Sequence, residues 1–104
     1  MTFRSKKLRM KPEERRAQII AAATAISGRN RLYGWNLQDI ADRVGITRAA
    51  VCYYFPAIKG LRSAVILRAI RNRNVSIVSQ ALLANDRSAK DCPDDLRQSC
   101  RERI

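Results

Sequence analysis

Hydrophobic positions along this chain follow a helical period that is interrupted at a few sharp places. In "PEERRAQIIAAATAISG", Ile19, Ala22, Ala23 and Ile26 share one helical face. Pro12 suits the first helical position, and Glu13 and Glu14 suit the positive end of the helix dipole. Gly28 is the expected terminator. "RNRLYG" then reads as a linker, with Leu32 turned inward and Gly34 supplying a turn. Asn36 is a good N-cap for a short second helix whose inward face is Leu37, Ile40, Ala41 and Val44. Gly45 ends that helix in the left-handed geometry glycine takes cheaply, Ile46 plugs inward, and Thr47 caps a third helix at once.

Pro56 closes the third helix, and Phe55 and Leu61 are assigned to the core. From Lys59 to about Leu83 the pattern predicts one longer fourth helix. Its stripe is Leu67, Ile70, Ile77 and Ala81, interrupted at Asn74 and widened by Val75, Val78 and Leu82. That stripe packs either on the chain's own helices or on a second copy. "NDRSAKD" reads as a loop, and "CPDDLRQSCRERI" as a short helix led by Pro93, Asp94 and Asp95.

Two capped short helices joined by a tight glycine turn form a helix-turn-helix signature. The expected fold is therefore all-α: a small three-helix helix-turn-helix head, a longer fourth helix, and a short C-terminal helix or tail. The expected organisation is a basic arm over residues 1–11, the head over 12–61, and a dimerisation region over 62–104.

Charge sharpens this picture. The chain has 104 residues, with 21 Lys and Arg against 9 Asp and Glu, a net charge of +12. Residues 1–83 hold 16 basic and 4 acidic side chains, whereas residues 84–104 hold five of each. A field so placed favours a polyanion, nucleic acid before an acidic membrane. The arm alone, "MTFRSKKLRMK", offers Arg4, Lys6, Lys7, Arg9 and Lys11. It either enters a minor groove or adds non-specific attraction.

Composition also removes alternatives. There is no histidine, and Cys52, Cys92 and Cys100 form no CxxC pair. Zinc fingers, disulfide scaffolds and Cys–His or Ser–His catalysis are not expected, nor is any metal or cofactor. No phosphate-cradling glycine loop or carboxylate cluster suggests an enzyme. No signal peptide or membrane span is expected, which points to a reducing cytoplasm.

From Gln18 to Leu61 the chain resembles the N-terminal DNA-binding domain of TetR-type repressors. The motifs are "QIIAAATAI", "NLQDIADRVGIT", "AAVCYYF" and "GL", matched without a gap. Four positions depart from that pattern. Ser27 replaces a large apolar residue, Arg31 a glycine, and Cys52 a tyrosine, while the lysine after the third helix falls one residue late, at Lys59. Barely forty residues follow the matching segment, whereas the family carries a second, ligand-binding helical domain. The resemblance therefore implies a head without its sensor, and no small-molecule ligand is expected.

A recognition helix of this kind meets base edges with its first turns. Arg48 can donate two parallel hydrogen bonds to guanine, and Ala49 and Ala50 let the backbone approach closely. The resemblance adds Gln38 as a possible base contact and Tyr53 and Tyr54 as sugar-phosphate contacts, one of the two also serving the core. Asn36, Thr47 and Lys59 are expected on phosphates. Cys52 reads as a small filler and Trp35 as a staple on the second helix. Leu67, Ile70, Asn74, Ile77, Val78, Ala81 and Leu82 are the candidate dimerisation residues.

The expected function is a sequence-specific regulator, a repressor binding an inverted repeat of double-stranded DNA as a homodimer, of the compact sort that suits a plasmid or phage. The alternative is a DNA-organising or partition-type module that coats repeated sites and recruits a protein partner.

Overall fold

The computed structural model describes residues 10–103. Among these, six α-helices and one short 3-10 turn are present and no strand. In chain order they are α1 (Pro12–Ile26), α2 (Leu37–Val44), α3 (Arg48–Tyr54), α4 (Ile58–Arg71), α5 (Val75–Leu83), the 3-10 turn (Arg87–Ala89) and α6 (Asp94–Arg103). Arg4, Lys6, Lys7 and Arg9 of the expected arm lie outside the described residues.

The α1 helix begins where proline and acid predict, and the Lys11 amide donates to Glu14 Oε1 at 3.1 Å. It ends at Ile26, two residues before Gly28. The chain then turns through Arg29 (φ 56°) and Asn30 (φ 65°), so the left-handed steps fall on residues other than the expected glycine. Its buried residues, Ile19, Ile20 and Ala23, pack on α2 and α4.

The α2–α3 corner forms as the capping signals predict. Asn36 Oδ1 accepts from the Asp39 amide at 2.9 Å, and Asp39 Oδ2 accepts from the Asn36 amide at 2.8 Å. Gly45 sits at φ 85°, and the Gly45 and Ile46 amides both donate to the Ala41 carbonyl at 2.8 and 3.0 Å. Thr47 Oγ1 then accepts from the Ala50 amide at 3.0 Å and starts α3.

Between Ile58 and Leu83 the structure departs from the sequence expectation. The long fourth helix is two helices, α4 and α5, with Asn72, Arg73 and Asn74 between them. Arg73 takes a left-handed φ of 56°. Its amide donates to the Ile70 carbonyl at 3.1 Å, and the Asn74 amide donates to the Ala69 carbonyl at 2.8 Å. These two bonds make a Schellman closure, which satisfies the carbonyls a helix end would otherwise leave bare. Asn74 Oδ1 accepts from the Ile77 amide at 3.2 Å and starts α5. The residue that interrupts the apolar stripe is thus the cap of a new helix.

The break turns the stripe inward. The α5 helix packs on α4 and on α6. Ile77, Val78 and Ala81 are at most 1% exposed, so they belong to the chain's own core and are not available to a second copy. Leu96 and Cys100 of α6 are buried in the same core. Fully burying one Leu or Ile side chain is worth roughly 1.5–3 kcal/mol, so each of these burials counts against the entropy of ordering the C-terminal segment. Leu67 stays exposed, while Ile70, Asn74 and Leu82 are half-buried.

A single apolar cluster runs from Ile19 to Cys100, and the division expected after Leu61 falls inside α4. A buried polar chain ties the two halves. Gln80 Oε1 accepts from the Leu32 amide and Gln80 Nε2 donates to the Ser27 carbonyl, each at 2.7 Å. Ser27 Oγ accepts from Trp35 Nε1 at 2.9 Å and donates to the Ala23 carbonyl at 2.6 Å. Serine at this core position is therefore matched to Trp35, whose indole N–H would otherwise be buried without a partner.

Candidate nucleic-acid interface

The α3 helix is seven residues long and divides its side chains cleanly. Val51 is fully buried and Phe55, which follows the helix, is almost so. Arg48, Ala49 and Tyr53 lie on the solvent side, with Tyr53 79% exposed. Ala49 and Tyr53, four residues apart, share a face. Ala50 and Cys52 are half-buried at the margin. Tyr54 packs partly against the core and meets Tyr53 edge-on, with ring centroids 5.0 Å apart. One tyrosine thus supports the other, in line with the expectation that one of the pair serves the core.

The α2 helix packs against α3 and exposes Asn36 and Gln38 at its start. Gln38 Nε2 donates to Asp42 Oδ1 at 2.8 Å, so reaching a base would mean releasing that bond. The Asn36 carbonyl oxygen is taken by its capping bond, and its amide group is left to donate. Thr47 is similar: its oxygen accepts from Ala50, and its hydroxyl proton is left to donate. Lys59 is exposed in the first turn of α4. No side chain caps that helix and no acid lies in its first turn, so its N-terminal amides and Lys59 present positive charge together. Lys11, the one arm residue described, is exposed at the start of α1.

Asp39 and Asp42 of α2 bring negative charge to this side, but neither pairs with a cation of α3 or α4. Among the described residues the one ion pair is Arg73 with Asp95, in the C-terminal half. Arg48 and Lys59 therefore have no carboxylate partner there.

Three positioning residues escape a reading by periodicity. The Arg62 guanidinium lies over the rings of Tyr33 at 5.0 Å and Trp35 at 5.5 Å, and its Nε donates to the Leu32 carbonyl at 3.2 Å. It clamps the α1–α2 linker from α4. Arg16 lies 4.9 Å from the Phe55 ring and braces the end of α3. Tyr33 donates its hydroxyl to Asp86 Oδ2 at 2.8 Å. Burial, then that bond and the Asp86 charge, push the Tyr33 hydroxyl well above the ordinary phenol range. Burial raises the Asp86 carboxyl, but the Ser88 amide, the Tyr33 and Ser88 hydroxyls and the nearby Arg62 charge outweigh it and hold it below the usual carboxylate range. These are contacts between residues far apart in sequence, so no spacing announces them.

Among the described residues no three His, Cys, Asp or Glu side chains come together as a metal site, and no single helix is long and apolar enough to cross a membrane. No protein-family model matches the chain, and neither a curated protein nor a solved structure matches it.

Proposed function

We propose that the protein is a sequence-specific DNA-binding regulator, with α2 and α3 acting as a helix-turn-helix and α3 as the reading helix. The observation that carries this reading is the division of α3. Val51 anchors it in the core while Arg48, Ala49 and Tyr53 face solvent, and Arg48 has no carboxylate partner among the described residues. A short rod held from behind, with a guanidinium at its first position, suits a major groove, where Arg pairs with guanine by two hydrogen bonds. Asn36, Thr47 and Lys59 keep donors for phosphates on either side. Neutralising about six to ten phosphates, counted over both copies, would make binding fall by roughly three to five decades between low and moderate salt.

A single short helix reads few base pairs, so two copies on an inverted repeat remain the favoured arrangement, acting as a repressor by occupying the site. Since Ile77, Val78 and Ala81 are used internally, Leu67 and Ile70 on α4 are what the original stripe leaves for a two-fold joint. Selection of bound duplexes from a random pool tests both points. The expected result is a recovered motif with two mirrored half-sites. Recovery of no motif sinks the reading, and a single half-site removes the dimer. Footprinting then separates one protected operator from the array of protected repeats that an organising module would leave.

A further inference from the structure

We propose that the C-terminal half carries a binding site for a small anionic amphiphile, a carboxylate or phosphate head on an apolar body. The site is a cavity of about 440 Å³ between the end of α5, the 3-10 turn and α6, within the range of roughly 300–1,000 Å³ usual for ligand pockets. Its apolar lining is Leu82, Leu83 and Ala89. Ala89 is buried, whereas Leu83 is 67% exposed, so the apolar wall runs from the interior out to solvent.

Four cations, Arg87, Lys90, Arg97 and Arg101, share the rest of the lining with Asn85 and Asp86. None has a carboxylate partner among the described residues. The one acid in the wall, Asp86, is already engaged on both oxygens. Oδ2 accepts from the Tyr33 hydroxyl at 2.8 Å and Oδ1 from the Ser88 amide at 2.9 Å. Arg97 is fixed at the wall, since its Nη2 donates to the Lys90 carbonyl at 3.2 Å and the Ala89 carbonyl at 3.5 Å. A guanidinium held in place beforehand loses little freedom when an anion arrives.

Sign and shape together select the ligand. A net charge this positive within one concavity repels cations and leaves an anion well solvated by donors. A duplex is convex and gains nothing from leucine walls, whereas an acyl or aromatic body covers them and removes apolar surface from water. The larger cavity beside α2, about 700 Å³, mixes Arg29, Arg31 and Arg43 with Asp39 and Asp42, so it selects no sign of charge. The proposal sets aside the expectation that the chain takes no small-molecule ligand, and it stands independently of DNA reading by α3.

Titration calorimetry of the full chain with decanoate, below its micellar range, tests it. Decyltrimethylammonium and inorganic phosphate serve as probes of the tail alone and the head alone. The expected result is saturable one-to-one binding of decanoate, with both controls at least about tenfold weaker. The exposed pair R87E/R101E should weaken decanoate by a further tenfold or more. The exposed Leu83→Ser variant should weaken it less and leave phosphate unchanged. Each variant's thermal midpoint is compared with the parent to show that it folds. Absence of decanoate binding overturns the proposal. So does equal binding of the cationic probe, equal binding of phosphate alone, or unchanged affinity in folded R87E/R101E. Loss of duplex binding in that variant, with decanoate affinity intact, assigns the patch to nucleic acid instead and overturns it as well.

Discussion

The α2–α3 corner and the α4–α5 corner perform the same geometric task with different residues. At the first, Gly45 takes the left-handed step and Thr47 caps the next helix. At the second, Arg73 takes that step and Asn74 caps the next helix. The helices launched then meet opposite fates. The α3 helix keeps one face in water, with Arg48, Ala49 and Tyr53 outward, while α5 buries Ile77 through Ala81 between its neighbours. A glycine at a turn makes the turn readable. It says nothing of what the next helix is for, and that is decided by how many neighbours cover it.

Substitutions can set the two corners against each other. The largest effect is expected from Ile77→Asp, which places a charge in the core and should cost about 3–5 kcal/mol or abolish folding. Leu67→Asp, 48% exposed on the same nominal stripe, should change stability by no more than about 0.5 kcal/mol. Urea unfolding separates them, and equal effects would restore the continuous stripe. Sedimentation of Leu67→Asp reports separately on the two-fold joint.

Next in size is Gln80→Leu. It strands the Leu32 amide and the Ser27 carbonyl, at a cost of about 1–3 kcal/mol by the same assay. A neutral outcome would mean that the halves are not joined through Gln80. The left-handed positions come third. Nothing lies within 4 Å of a Cβ added at Gly45, so Gly45→Ala tests backbone strain alone, and it should cost about 1–2 kcal/mol. Arg73→Gly, measured with Asp95→Asn already in place to remove the ion pair, should instead stabilise by up to about 1 kcal/mol. Opposite signs at the two corners are the expected result.

The smallest effect is on pH dependence. The depressed Asp86 carboxyl contributes stability above its unfolded pKa of about 3.9, and that contribution fades as pH falls through the folded value. The raised Tyr33 hydroxyl contributes below its unfolded pKa of about 10 and loses its contribution as pH rises further. Tyr33→Phe should therefore flatten the alkaline limb of a thermal-midpoint profile and soften the acid limb. An unchanged profile would show that this contact carries no linkage.

The helices of residues 12–54 were legible because their ends are written in local chemistry: proline and acids at Pro12 to Glu14, Asn36 with Asp39, Gly45, and Thr47. The α4–α5 break was not, since Arg73 has no preference for the left-handed region, and it is held there by the backbone bonds from Arg73 and Asn74 and by its ion pair with Asp95, a residue distant in sequence. Asn74 stands out in the sequence as a gap in the stripe, and its residue type alone is enough to suggest a cap. On the candidate interface, exposure of Arg48, Ala49 and Lys59 followed from their places beside a cap or in a first helical turn, whereas the pattern left open which of Tyr53 and Tyr54 faces solvent. The bond of Gln38 to Asp42 follows an i, i+4 spacing and was readable, whereas the Arg62 clamp and the Tyr33–Asp86 contact join residues about thirty or more positions apart. Periodicity reports which face a helix turns inward, and not what waits there.

The proposed reading of bases by α3 through Arg48 is decided by the affinity of Arg48→Ala across the selected site and its single-base variants at fixed salt. A loss of about 1–3 kcal/mol on the preferred site is expected, with discrimination relaxed at one position in each half-site. Uniform weakening across all sequences, or no weakening, would contradict it.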